Sequence, residues 1–211
     1  MLVLALFLSY ILGAIPFGVI VGKMRGVDIR SVGSGNSGAT NVYRTLGPAA
    51  GITVFALDVG KGLAAPFIAR FLIGPQDYWP IALCALMAVI GHTFSCFLRF
   101  RGGKGIATGL GMALGLAPLP ALITFALWGL ALLLTRMISA ASLIACVLIL
   151  PLAYFMAAPL PYVVVLSVIV VVAFIKHIPN LKRIAAGTEP KVNIGRKKPP
   201  QDAPASPQAT P

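Results

Sequence analysis

Acidic side chains are scarce in this sequence. Five Asp and Glu stand against 17 Lys and Arg in 211 residues, and charge of both signs amounts to 10%. A soluble domain carries about 25% charged residues on its surface. With 58% hydrophobic residues, the chain lacks the charge to clothe a water-soluble fold and is too apolar to be disordered over most of its length. Histidine is confined to His92 and His177, and cysteine to Cys84, Cys96 and Cys146. No CxxC, HExxH or paired carboxylates occur, which argues against a zinc site, a disulfide framework and carboxylate-pair hydrolysis. The cysteines lie in or beside apolar runs and read as small packing residues. No metal and no cofactor is expected.

What is present is a succession of apolar runs. A bilayer span takes about 20 residues, so about seven fit in this length. They cover residues 2–22, 48–73 and 80–98, a run from the 99–111 segment to 117, then 121–135, 138–156 and 162–176. The expected fold is an all-α integral membrane protein of about seven transmembrane helices. The fourth and fifth runs are short and separated only by proline. Pro16 should kink the first. That first run has no basic segment before it, so it reads as a span rather than a signal peptide. Residues 1–195 read as one polytopic membrane domain, and 196–211 as a basic, then Pro-rich, disordered cytoplasmic tail.

The net charge of +12 would suggest nucleic acid in a soluble protein. Here the cations sit between apolar runs and report topology instead, so no nucleic-acid partner is expected. With the N-terminus outside, every Lys and Arg except Lys61 and Arg70 falls on the cytoplasmic side. The C-terminus is then cytoplasmic as well, in the cell inner membrane. The glycine-rich, hydroxyl-rich and histidine-bearing segments share that face, so a site should open to the cytoplasm.

Three such segments carry chemistry. The first is Ser34-Gly35-Asn36-Ser37-Gly38-Ala39-Thr40-Asn41, with Arg44 three residues on. Successive glycines let backbone N–H groups converge on an anion, and a helix starting near Thr40 would add its positive end. The second runs from Gly91 and His92 to Gly102-Gly103-Lys104-Gly105. It reads as a phosphate cradle of amides plus one lysine. It is not a Walker A loop, because Gly105 follows Lys104 where Ser or Thr is needed. The third holds His177, Asn180, Lys182, Arg183 and Glu189. Glu189 is expected to pair with a cation and hold the chain. Asp58 and Lys61 share a helix face inside a span, where they should neutralise each other, with Lys61 also able to lend positive potential to the site. Ser139 and Ser142 begin the sixth span as packing serines, with a substrate contact as the alternative role, carried forward for Ser142.

Together, GSGNSGATNVYR, GHTFSCFLRFRGGKGIATG and HIPNLKRIAAGTEPK, with LDVGKG between the first two, resemble the motifs of the bacterial acyl-phosphate:glycerol-3-phosphate acyltransferases (the PlsY type). The resemblance covers about residues 1–195. Arg101 stands where lysine is more usual before GGKG, which keeps the charge. As in that family, neither histidine begins an HxxxxD motif.

The resemblance implies transfer of a fatty acyl group from acyl phosphate to the 1-hydroxyl of sn-glycerol 3-phosphate. The products would be lysophosphatidic acid and phosphate, in the first acylation of phospholipid biosynthesis. It implies membrane lipid as surroundings and a functional link to the enzyme that makes acyl phosphate. Carried over residue by residue, it assigns Ser34, Gly35, Ser37 and Gly38 to the acyl-phosphate or oxyanion cradle, with Asn36, Thr40 and Asn41 as contacts on the same loop. Arg44, Lys104, His177 and Asn180 fall to the glycerol phosphate. Gly102, Gly103 and Gly105 shape the lysine's loop, His92 is a further polar contact, and Asp58 and Glu189 are structural. Ser34, Arg44, Lys104, His177 and Asn180 form the expected catalytic set. A transporter for a phosphorylated metabolite would also need cations and glycine-broken helices, but would show repeated halves, and none are visible.

Overall fold

Among residues 1–192, which the computed structural model describes, there are ten α-helices and no strand. Proline and glycine mark most of their ends. The first apolar run divides into α1 (Leu2–Ala14) and α2 (Phe17–Met24). The break falls at Pro16, which has no N–H to continue the helix. A short α3 (Ala39–Leu46) follows the polar loop, and Gly47 separates it from α4 (Pro48–Ile73). Next come α5 (Tyr78–Thr93), a single 3-10 turn at Cys96–Leu98, and α6 (Ile106–Leu116). The remaining described helices are α7 (Pro118–Thr135), α8 (Ile138–Phe155), α9 (Leu160–Lys176) and α10 (Ile178–Ala185).

Among the described residues, five stretches are long and apolar enough to cross a bilayer: Leu2–Met24, Pro48–Ile73, Tyr78–Leu98, Pro118–Thr135 and Ile138–Phe155. A sixth is α9 with α10, bent by 55° between them. Helix α6 has 11 residues, about 16 Å of rise against about 30 Å of hydrocarbon. The fourth run is thus a half-length helix.

The packing is that of a protein dissolved in lipid. The largest apolar side chains point outward: Phe71 is 88% exposed, Phe155 82% and Leu134 77%. The interior is built from small residues, with Ala65, Ala69, Ala82, Ala85 and Ala88 fully buried. Lipid offers no hydrophobic drive between helices, so association relies on close backbone approach. Contact between α4 and α6 depends on it. A Cβ on Gly62 would overlap the Thr108 carbonyl oxygen, and one on Gly111 would overlap that of Val59.

This arrangement brings the basic loops to one end of the bundle. Lys104 bonds to Asn180, Arg44 reaches the Pro190 carbonyl at 3.3 Å, and the Val192 N–H donates to the Arg136 carbonyl at 2.7 Å. Cys84 is buried as expected, whereas Cys96 is exposed in the 3-10 turn. The boundary expected at 195 and the tail from 196 lie outside the described residues.

Candidate functional site

The first loop is held by Asn41, a buried residue in the opening turn of α3. Its Oδ1 accepts the Ser34 N–H at 2.8 Å, and its Nδ2 donates to the Ile29 and Val32 carbonyls at 2.9 and 3.1 Å. Asn41 therefore braces the loop instead of offering its amide to a substrate. Asn36 acts similarly, its Oδ1 accepting the Gly38 N–H at 2.8 Å. Besides these two asparagines, the loop lends the cavity Ser34 together with Gly38, Ala39 and Thr40, the N-terminus of α3. The unpaired N–H groups of a helix start favour an anion there. Arg44 projects from the last turn of the same helix.

The glycine-rich loop works differently from the amide cradle read in its sequence. The Gly102 N–H donates to the Thr93 carbonyl and the Gly103 N–H to that of His92, both at 3.1 Å. Those two amides fasten the loop onto the end of α5 and are not free for phosphate. A Cβ on Gly103 would overlap Nε2 of His92, so glycine lets the loop lie against that ring. Gly105, at φ 81°, turns the chain into α6. Between them Lys104 points its ammonium into the cavity, where it donates to Asn180 Oδ1. Burial lowers its pKa to about 8, opposed by the Glu189 carboxylate and assisted by Arg183 and Arg44.

The third segment is organised by Glu189. Its Oε1 accepts from Ser139 Oγ and Asn180 Nδ2, both at 2.8 Å, and its Oε2 from Arg183 Nε at 2.7 Å. Arg44 Nη2 stands 3.9 Å away. Burial by itself would raise the carboxyl's pKa, but the hydrogen bonds from Ser139, Asn180 and Arg183 outweigh it and hold the group below the ordinary carboxylate range. With both oxygens engaged, Glu189 is a tie between α8, α10 and the segment after α10, not a base. His177 sits at the α9–α10 bend, with Nδ1 2.8 Å from the Ala173 carbonyl. A carbonyl can only accept, so Nδ1 carries the proton and Nε2 keeps a lone pair.

These parts line one cavity of about 500 Å3. It is polar at the loop end and apolar beyond, where Phe55, Phe125 and Trp128 form a ladder with ring centroids 6.2 and 5.6 Å apart. Trp128 Nε1 donates to Ser142 Oγ at 3.3 Å. Of the residues singled out from sequence, Ser34, Asn36, Gly38, Thr40, Asn41, Arg44, Asp58, His92, Lys104, Gly105, Ser142, His177, Asn180 and Glu189 border the cavity. Gly35, Gly102 and Gly103 do not, and Ser37 and Lys61 border a smaller pocket behind it. Ser139 and Arg183, to which the sequence assigned no binding role beyond an alternative contact and a place in the third segment, line the site as well, and so does Trp128, which the sequence did not single out. Arg183 lies three residues after Asn180, one helical turn, and that spacing was the available signal. Among the described residues, no three His, Cys, Asp or Glu side chains come together as a metal site requires.

Comparison with known proteins agrees with this architecture. The family model described as glycerol-3-phosphate acyltransferase matches residues 3–187. The glycerol-3-phosphate acyltransferase of a Thermus thermophilus strain is 47% identical over 184 residues, 87% of this chain and 92% of the relative. That of Symbiobacterium thermophilum is 41% identical over 187 residues, 89% of this chain and 92% of the relative. The crystal structure of PlsY (YgiH), an integral membrane glycerol 3-phosphate acyltransferase, superposes in its glycerol 3-phosphate form with a TM-score of 0.87. It is 35% identical, covering 91% of this chain and 96% of the other. The lysophosphatidic acid form of PlsY gives a TM-score of 0.85 at 34% identity, covering 91% and 95%. A model matched over most of the chain, relatives above 40% identity and a shared helical arrangement lead to one assignment: the chain belongs to the glycerol-3-phosphate acyltransferase family.

Proposed function

We propose that this protein transfers a fatty acyl group from acyl phosphate to the 1-hydroxyl of sn-glycerol 3-phosphate, giving 1-acylglycerol 3-phosphate and inorganic phosphate. The observation that carries the reading is the convergence of Lys104, Arg44 and Arg183 at the polar end of an otherwise apolar cavity. Two phosphates and a fatty chain have complementary chemistry to that surface. Acyl phosphate is a mixed anhydride with a good leaving group, so positioning and charge neutralisation can carry most of the catalysis. Correct alignment supplies roughly 7–11 kcal/mol, and each well-aimed donor to developing charge about 3 kcal/mol.

In this reading Lys104, Arg44, Arg183 and Asn180 hold the glycerol phosphate. Ser34 and the start of α3 receive the donor phosphate and the carbonyl oxygen. The His177 lone pair accepts from the neighbouring 2-hydroxyl and so orients the glycerol, leaving the proton of the attacking 1-hydroxyl free for the phosphate. The new ester C–O bond forms as the acyl–phosphate C–O bond breaks, and the hydroxyl proton leaves on an oxygen of the departing phosphate. The acyl chain lies along Phe55, Phe125 and Trp128. Because the donor is a hydrolysable anhydride, an enzyme that makes acyl phosphate acts immediately upstream.

The basic loops favour a cytoplasmic site in the inner membrane with the N-terminus outside. Seven crossings fit the path: α6 starts beside Lys104 at the site end and leads to α7, which ends at Arg136 back at the site end. The short α6 would then be the fourth crossing.

Purified protein in detergent should form 1-acylglycerol 3-phosphate from acyl phosphate and give no product from acyl-CoA. Efficient use of acyl-CoA would refute the donor assignment, and uptake into vesicles without acyl product would favour a transporter.

Lys104 adds a pH dependence. A phosphomonoester becomes a dianion above about pH 6, while Lys104 holds its proton only below about 8. The kcat/KM for glycerol 3-phosphate should therefore rise through about pH 6 and fall above about 8. Lys104→Arg should remove the alkaline fall, since guanidinium stays charged. On the apolar side, Phe125→Ala should raise KM for acyl phosphate about fivefold, roughly the loss of 1 kcal/mol of apolar contact, and leave KM for glycerol 3-phosphate unchanged in the same assay.

A further inference from the structure

Behind the cavity, three ionisable side chains meet where a membrane helix would ordinarily carry none. Asp58 Oδ1 lies 2.7 Å from Lys61 Nζ and 3.6 Å from His92 Nδ1, and all three side chains are buried. Lys61 has a second partner, the Ile15 carbonyl at 2.8 Å, at the break before Pro16. Asp58 Oδ1 pairs with the Lys61 ammonium and lies beside the His92 ring but makes no hydrogen bond of normal geometry. A charge inside a span is costly, so apolar residues at positions 58 and 61 would avoid a penalty that the pair only offsets. Neutralising Lys61 does not explain why both are there.

The His92 ring supplies the reason. Its Nδ1 edge faces Asp58, and its Nε2 edge lies against Gly103, where no Cβ could fit. The main chain of His92 also receives the Gly103 N–H. Asp58 and His92 border both the main cavity and the small pocket behind it, which Ser37 of the first loop borders too.

Building on the function proposed above, we propose that Asp58 is a positioning residue: it fixes the His92 ring, and the ring supports the loop that aims Lys104 at the phosphate. Loss of the carboxylate frees the ring to rotate and lets Gly103 and Lys104 move.

The competing role is simple neutralisation of Lys61, and two substitutions separate the two. Asp58→Asn alone leaves an uncompensated buried cation, so thermal stability and substrate affinity should both fall. Adding Lys61→Met removes that cation and should restore thermal stability. The readout is the Kd for glycerol 3-phosphate, measured by calorimetry on the purified full-length protein, alongside KM and kcat. The expected result is a Kd at least tenfold weaker in Asp58→Asn and equally weak in the stable Asp58→Asn/Lys61→Met double variant. His92→Gln should show the same loss, and Asp58→Asn/His92→Gln no more than either alone. Wild-type affinity in the Asp58→Asn/Lys61→Met variant would overturn the proposal, as would additive losses in the pair with His92. The Kd needs no turnover, so it tests Asp58 even if acyl transfer is not observed, an outcome that would count against the functional reading alone.

Discussion

Lys104→Ala should lower kcat/KM for glycerol 3-phosphate about a thousandfold while the protein stays folded. The lysine lines the cavity beside Asn180, and its loop is fastened by the Gly102 and Gly103 amides independently of its side chain. Removing one member of a desolvated charge pair costs about 2–5 kcal/mol, and about 4 kcal/mol corresponds to a thousandfold. The loss should fall mainly on KM for glycerol 3-phosphate, with KM for acyl phosphate changing less. Lys104→Arg keeps the charge but replaces a compact ammonium with a planar fork, so it should recover part of the activity. Steady-state kinetics with each substrate varied in turn check both variants. Unchanged kinetics in Lys104→Ala would remove the residue from the site.

The second large effect belongs to Glu189. Replacing it with Ala leaves Asn180, Ser139 and Arg183 without their shared acceptor and places Arg44, Arg183 and Lys104 together without a counter-charge. We expect kcat to fall about a hundredfold and the thermal midpoint to drop, since stranding buried hydrogen-bond partners costs about 1–3 kcal/mol. Glu189→Gln keeps an oxygen for Asn180 and Ser139 and loses the charge for Arg183, so it should retain about a tenth of the activity. A general base would behave otherwise: Gln would be as damaging as Ala, and the acid limb of the pH profile would disappear.

The local parts of this molecule were legible in the sequence. Pro16 breaks the first run, Pro48 starts α4, and Asp58 and Lys61 pair because residues three apart share a helix face. The three polar segments announced an anion site because glycine, hydroxyls and cations recur between apolar runs. Other features depend on contacts that local spacing does not encode. Glu189 joins Ser139 across 50 residues, so its role as a tie was visible only as a lone acid in a basic stretch. The short α10 was missed because its eight residues are too few for a span, mix Asn180, Lys182 and Arg183 with apolar side chains and carry Pro179 in the first turn, and it is the element that brings Asn180 and Arg183 to Lys104. Asn41 has the composition of a substrate contact, yet the loop folds around its amide. The first two GGKG amides are unavailable as a cradle for a similar reason: the Thr93 and His92 carbonyls at the end of α5 take the Gly102 and Gly103 N–H groups.

The central claim is that two phosphorylated molecules occupy one cavity at the same time and that the acyl group passes directly between them. Initial velocities measured with both substrates varied test this most directly. The account predicts double-reciprocal lines that intersect, with phosphate released only when glycerol 3-phosphate is present. Parallel lines, with acylated protein trapped at Ser34 in the absence of glycerol 3-phosphate, would contradict it.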